Sequence, residues 1–167
     1  MVKICFVERK MFNQYLHCFL ISMVPMIELR GAILYAVAVD LNFWVALTVC
    51  VIGNMLPVPF IYFFARKILE WGKDKKYIGW FSTLFLEKGE KAGQKLTTAA
   101  GRRGLFVALM LFVGIPVPGT GAWTGALGAS FLNMGIKSTS LAVSLGVVIA
   151  GIFMGILSAT GLHILGF

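Results

Sequence analysis

The chain has 167 residues, of which 59% are apolar and 13% charged, with a mean hydropathy of +0.87. Soluble domains carry about 25% charged residues, and here the deficit is concentrated: residues 41–65, 104–136 and 138–167 hold no charge. About 20 apolar residues cross the hydrocarbon core as a helix, so three such stretches specify an all-α integral membrane protein. They exclude a secreted disulfide scaffold, a nucleic-acid-binding domain and an ordinary soluble enzyme.

The net charge of +8 has an address. Residues 66–104 hold ten Lys/Arg against four Asp/Glu, and residues 1–15 hold three basic groups against one acid. Basic segments beside membrane spans stay on the cytoplasmic side and meet anionic lipid head groups. Four hydrophobic blocks follow from the hydropathy: 16–39, 43–65, 105–134 and 139–166. They divide into a first repeat (16–65), a basic interfacial linker (66–104) and a second repeat (105–166) within one membrane domain. Trp71, Tyr77, Trp80 and Phe81 are the aromatics expected at a head-group boundary, and residues 84–98 are compatible with a short surface helix.

The first block, 16–39, is not a cleavable signal, because Glu28 and Arg30 interrupt it and no small-residue cleavage site follows. These are the only charges between Lys10 and Asp40, in the stretch Pro25-Met26-Ile27-Glu28-Leu29-Arg30-Gly31. Charges at that depth cost several kcal/mol unless paired or hydrated. Residues two apart on a helix do not face each other. Either the backbone is unwound between Pro25 and Gly31 or each charge has a partner elsewhere, and both options imply a polar cavity. Asp40 reads as a solvated turn residue. Snorkelling of Glu28 and Arg30 to one interface remains an alternative.

In the second block Asn54 precedes Pro57-Val58-Pro59 and is placed to hydrogen-bond across helices. The third block carries Pro116 and Pro118 among Gly114, Gly119, Gly121, Gly125 and Gly128. The uncharged run 104–136 also exceeds a simple span. A proline frees a carbonyl that lipid cannot satisfy, so the segment reads as a hairpin that enters the membrane, turns and leaves by the same face; block 16–39 reads the same way by analogy. Sliding the sequence by 91 sets Pro25 on Pro116, Glu28–Gly31 on Gly119–Ala122 and Leu41-Asn42 on Leu132-Asn133, and a drift of two brings Gly53 near Gly146. The fold class is therefore two re-entrant helical hairpins plus transmembrane helices, arranged as an inverted repeat. Four plain spans with both termini inside is the competing topology, and the inverted one places the mildly basic N-terminus outside.

The chemistry these residues offer is binding and proton transfer. Glu28 can carry a proton, and Arg30 offers a fork suited to carboxylate or phosphate. Gly31 ends that stretch; Thr120 and Thr124 supply hydroxyls and Trp123 a large amphipathic face. Gly121, Gly125 and Ala129, and again Gly151, Gly155 and Ala159, form small-residue stripes that let helices approach. His17 and His163 read as interfacial. Cys5, Cys18 and Cys50 are isolated and read as packing residues. No metal-ligand spacing, nucleophile–base pair or cofactor-binding loop is present, so neither an enzyme nor a cofactor is expected.

The stretches PMIELRGA (25–32), GNMLPVP (53–59) and IPVPGTGAWTGAL (115–127) resemble the small multidrug export protein family of prokaryotes, over about residues 16–160. More distantly they resemble the DedA/VTT membrane proteins. The resemblance implies opposed re-entrant hairpins in the inner membrane and a transporter or lipid-translocase role. Glu28, Arg30, Pro116, Pro118 and Gly119 are then the site-forming positions. Thr120 stands where DedA motifs often carry an acid. The leading expectation is a multi-pass, proton-coupled exporter of a small amphipathic or anionic molecule, with Glu28, Arg30, Gly31, Asn54, Pro116, Pro118, Gly119, Thr120 and Trp123 around the site. Its partners are membrane lipids, protons and a possible second copy in a homodimer. A polyprenyl-phosphate or phospholipid translocase and a non-transporting scaffold are the alternatives.

Overall fold

A computed structural model describes residues 2–25, 27–72, 98, 101–117 and 120–164. Among them every regular element is helical: α1 Val2–Met23, α2 Glu28–Ala38, α3 Phe43–Met55, α4 Pro57–Gly72, α5 over 101–114, α6 Ala122–Phe131 and α7 Ile136–Ile164. Two stretches, Phe43–Ala65 and Ile136–Gly161, are long and apolar enough to cross a bilayer. Their outer faces carry exposed Phe60, Phe63, Phe64, Phe153, Ile156 and Leu157, an apolar surface that only lipid or another apolar partner would cover.

The breaks fall where sequence chemistry puts them. Pro25 follows α1 and precedes α2, and α5 ends at Gly114, two residues before Pro116. The 43–65 block is bent at Leu56, because Pro57 has no N–H to donate into the preceding turn, and α4 starts on that proline, where a missing N–H costs nothing. The helix α1 begins well before the apolar block expected at 16–39, since its first turns carry Lys3, Glu8, Arg9 and Lys10. Residues 66–72 continue α4 and 101–104 open α5, so those parts of the polar stretch 66–104 belong to the long helices. The expected surface helix at 84–98, together with Tyr77, Trp80 and Phe81, lies outside the described residues save for Thr98.

α1 and α2 form an antiparallel hairpin: the Tyr35 ring meets His17 edge-on with centroids 6.3 Å apart, and further along Gly31 faces Ile21. α2 has 11 residues and α6 has 10, each about 15–16 Å long at 1.5 Å per residue, or half a hydrocarbon core. α6 folds back against α5 in the same manner, with Gly125 against Val113 and Leu109. The α2–α3 and α6–α7 turns share their hydrogen bonds. Leu41 N–H donates to Ala36 O at 2.9 Å and Met134 N–H to Ala129 O at 3.0 Å; Asp40 and Asn133 both take left-handed φ, 58° and 55°. The two turns thus close alike. Gly53 abuts Phe19 O, and Gly146 abuts Met110 O.

α7 runs antiparallel to α3 and α4. Gly155 packs on the Phe43 ring, Gly151 on Leu47 and Leu29, and at the far end the Tyr62 hydroxyl donates to Met134 O while Ser130 donates to Tyr62 O at 2.9 Å. The turns 39–42 and 132–135 thus lie at opposite ends of the bundle. The stripe through Gly151 and Gly155 is packing, as expected, although Ala159 is exposed. Cys18 and Cys50 are buried against each other, the Cys50 thiol 3.8 Å from Cys18 O.

Close approach sets one pair of stabilities. A Cβ at Gly146 would lie 2.6 Å from Met110 O and 2.8 Å from Val113 Cβ, whereas one at Gly128 meets nothing within 4 Å. Gly146→Ala is expected to lose about 1–3 kcal/mol through overpacking. Gly128→Ala is expected to gain about 0.5–1 kcal/mol from helix entropy. Thermal unfolding of both variants in mild detergent checks the opposite signs.

Candidate functional site

Residue Glu28 opens α2 with φ 50°, a left-handed conformation that non-glycine residues enter at a cost. That backbone turn sends the carboxylate to the other hairpin. Its two oxygens accept the N–H groups of Ala122 (3.3 Å, to Oε2) and Trp123 (3.2 Å, to Oε1), the first residues of α6. The first N–H groups of any helix lack intrahelical partners and carry the positive end of its dipole. Glu28 satisfies two of them with a full negative charge, and only 7% of its surface remains accessible.

Arg30 performs the converse task on α5. Its guanidinium donates to Val117 O, to Ile115 O at 3.1 Å and to Thr120 Oγ1 at 2.9 Å. The Thr120 hydroxyl in turn lies 2.9 Å from Ile115 O and 2.8 Å from Val117 O. Carbonyls released by the Pro116 break thus find a cation and a hydroxyl in place of helical N–H groups. Two nitrogens of the fork, held at a fixed spacing, reach two carbonyls and a hydroxyl, a geometry that the point charge of a lysine does not offer. Of the two expectations for the charged couple, the partners elsewhere are found, some 85 to 95 residues away, whereas the unwinding expected between Pro25 and Gly31 stops at Glu28, where α2 begins.

Gly121 completes the clasp. A Cβ there would strike Glu28 Oε2 and lie 2.6 Å from Cδ and 2.7 Å from Oε1. The Trp123 indole N–H is buried with no hydrogen-bond partner among the described residues, and so is Asn54 Oδ1. Asn54 was expected to bond across helices; its carbonyl oxygen has no partner among the described residues, and its neighbour Gly53 packs on Ser22 Oγ and Phe19 O of α1. The two atoms, one donor and one acceptor, are polar capacity left over among the described residues.

Of the other expected site residues, Gly31 lies in the first turn of α2 and packs on Ile27. Pro116 lies in the 115–117 break, while Pro118 and Gly119 fall outside the described residues. Asp40 is exposed in its turn. His17 is exposed with Nδ1 3.4 Å from the Tyr35 hydroxyl, and the His163 side chain is outside the description. Thr124 Oγ1 donates to Gly121 O at 3.3 Å, closing the first turn of α6. Among the described residues no group of three His, Cys, Asp or Glu could hold a metal ion. Ile115 and Val117 were not among the expected site residues; they act through their carbonyls, in a segment whose prolines and glycines marked it as broken.

Two membrane-length stretches run antiparallel, each preceded by a half-length helix whose broken end is held by a charge from, or lends that charge to, the opposite hairpin. This defines a helical membrane protein with paired helix breaks. Residues 28–153 match the model of the family described as "Putative small multi-drug export protein", and the chain belongs to that family. No curated protein and no solved structure matches it.

Proposed function

We propose that the protein is a proton-coupled exporter of small amphipathic or anionic molecules in the inner membrane, and that the Glu28–Arg30 clasp is its gate. The observation that carries this reading is that one carboxylate and one guanidinium, two residues apart, hold the broken ends of both arms of the opposite hairpin. Bistable elements are what transport requires, and helix ends held by side-chain charge are released when that charge is neutralised or engaged elsewhere.

In this reading the two hairpins are re-entrant, dip from opposite faces and form an inverted repeat, with the tips meeting near mid-depth. The basic stretch 66–104 attaches at the end bearing turn 132–135. The positive-inside rule makes that end cytoplasmic and puts turn 39–42 and both chain ends on the outer side. A proton on Glu28 removes its charge and one of its two acceptor oxygens, weakening its hold on α6. An anionic group on the substrate competes for Arg30, while the orphan Trp123 N–H and Asn54 oxygen supply further contacts.

The test is efflux of a panel of amphipathic dyes and organic anions from vesicles carrying the purified protein, with and without an imposed pH gradient. Gradient-dependent efflux of at least one compound is expected for the wild type. Arg30→Ala is expected to reduce it by about tenfold or more, the loss of about 1.5–3 kcal/mol from a charged hydrogen bond. Efflux that is indifferent to the gradient, or unchanged in Arg30→Ala protein that still unfolds cooperatively, would sink the proposal.

A further inference from the structure

Away from the clasp, at the end of the bundle where the basic stretch attaches, α5 and α7 enclose a cleft of about 380 Å³ lined by Arg102, Arg103, Phe106, Val107 and Ser138. Arg102 and Phe106 are four residues apart on α5, as are Arg103 and Val107, so each pair lies on one face, a turn apart. Both arginines are exposed, and Phe106 and Val107 follow one turn nearer the membrane core. Ser138 belongs to the first turn of α7, beside exposed Lys137, where the helix dipole is positive. No acid is among the lining residues. Leu105, between these residues on α5, lines a separate groove with Leu132 and Met134 of the α6–α7 turn, which puts this stretch of α5 at that end of the bundle.

We propose that this cleft is a binding site for the phosphate ester of an anionic phospholipid. Two guanidinium forks and the Ser138 hydroxyl receive the phosphate, Lys137 adds long-range attraction, and the first methylenes of the lipid lie on Phe106 and Val107. Arginine forks match phosphate geometry better than point charges do. The apolar floor distinguishes the site from one built for a free anion. Its residues are separate from the clasp, and the site does not depend on export.

The experiment is thermal unfolding of the full chain in neutral detergent, titrated with phosphatidylglycerol, phosphatidylcholine or inorganic phosphate. Saturable stabilisation by phosphatidylglycerol, with none by phosphatidylcholine, is expected. The double variant Arg102→Ala/Arg103→Ala should unfold at the wild-type temperature without lipid, since both side chains are exposed. It should require about thirtyfold more phosphatidylglycerol, from about 1 kcal/mol per basic group at a lipid surface. Arg102→Lys/Arg103→Lys should fall between the two. Stabilisation by inorganic phosphate alone, at equal concentration and equally sensitive to the alanine pair, would keep a phosphate site but assign it to a soluble ion. Undiminished stabilisation of the alanine variant by phosphatidylglycerol would overturn the proposal.

Discussion

Gly121→Ala is expected to cost about 3–5 kcal/mol of stability, the scale for leaving a buried charge without its partners. The added methyl group cannot coexist with the carboxylate, being 2.6 Å from Cδ and closer still to Oε2. Something has to shift, and Glu28 is held in place by its own left-handed backbone. Displaced, the carboxylate loses the N–H groups of Ala122 and Trp123, and α6 loses the acceptors for its first turn. The effect is therefore far larger than the usual change of a few tenths of a kcal/mol for alanine at an exposed position. Thermal unfolding of the detergent-solubilised variant measures it. The double variant Gly121→Ala/Glu28→Ala tests the cause: with the carboxylate gone the methyl group has room, and the two changes should be less than additive by about 1–3 kcal/mol. Strict additivity would place the strain elsewhere.

Glu28→Ala alone is expected to lose about 3 kcal/mol, because two N–H groups at the start of α6 are left without acceptors and each unsatisfied buried donor costs about 1–3 kcal/mol. Glu28→Gln retains one acceptor oxygen, and about half of that loss is expected. The glutamine variant also separates two roles that the geometry alone merges. If the carboxylate only fastens the hairpins together, Glu28→Gln protein that unfolds cooperatively should still move dyes as well as the wild type does. If the carboxylate must gain and lose a proton, efflux from vesicles should no longer respond to an imposed pH gradient even where the protein remains folded. Hydrogen exchange gives a third reading: the first amides of α6 should exchange faster in both variants, with those of α3 unaffected.

Much of this arrangement was legible before any coordinates. The helix breaks announce themselves through Pro25 and Pro116, because a ring nitrogen cannot donate and lipid cannot compensate. The charged couple stands out because nothing else between Lys10 and Asp40 carries charge. The need for distant partners followed from the two-residue spacing. What could not be read was who those partners are. Glu28 and Arg30 are satisfied by main-chain groups of residues 115, 117, 122 and 123, and main-chain groups leave no mark in a side-chain pattern.

Other misses have equally local causes. The start of α1 was hidden because its first turns are charged while hydropathy registers only the apolar part of a helix. The likeness of the turns at 39–42 and 132–135 lies in the left-handed residues Asp40 and Asn133 and the hydrogen bonds that follow them, which residue types alone do not display. Asn54 was read as bonding across helices from its residue type, and its amide oxygen faces no donor among the described residues.

The glycine opposite the acid carries one more implication. Residues 28 and 121 share one volume, and only one of them has room for a side chain there. What position 121 tolerates is therefore set by the occupant of position 28: a larger residue at the one becomes admissible only as the other shrinks, so the two positions can change together but not singly.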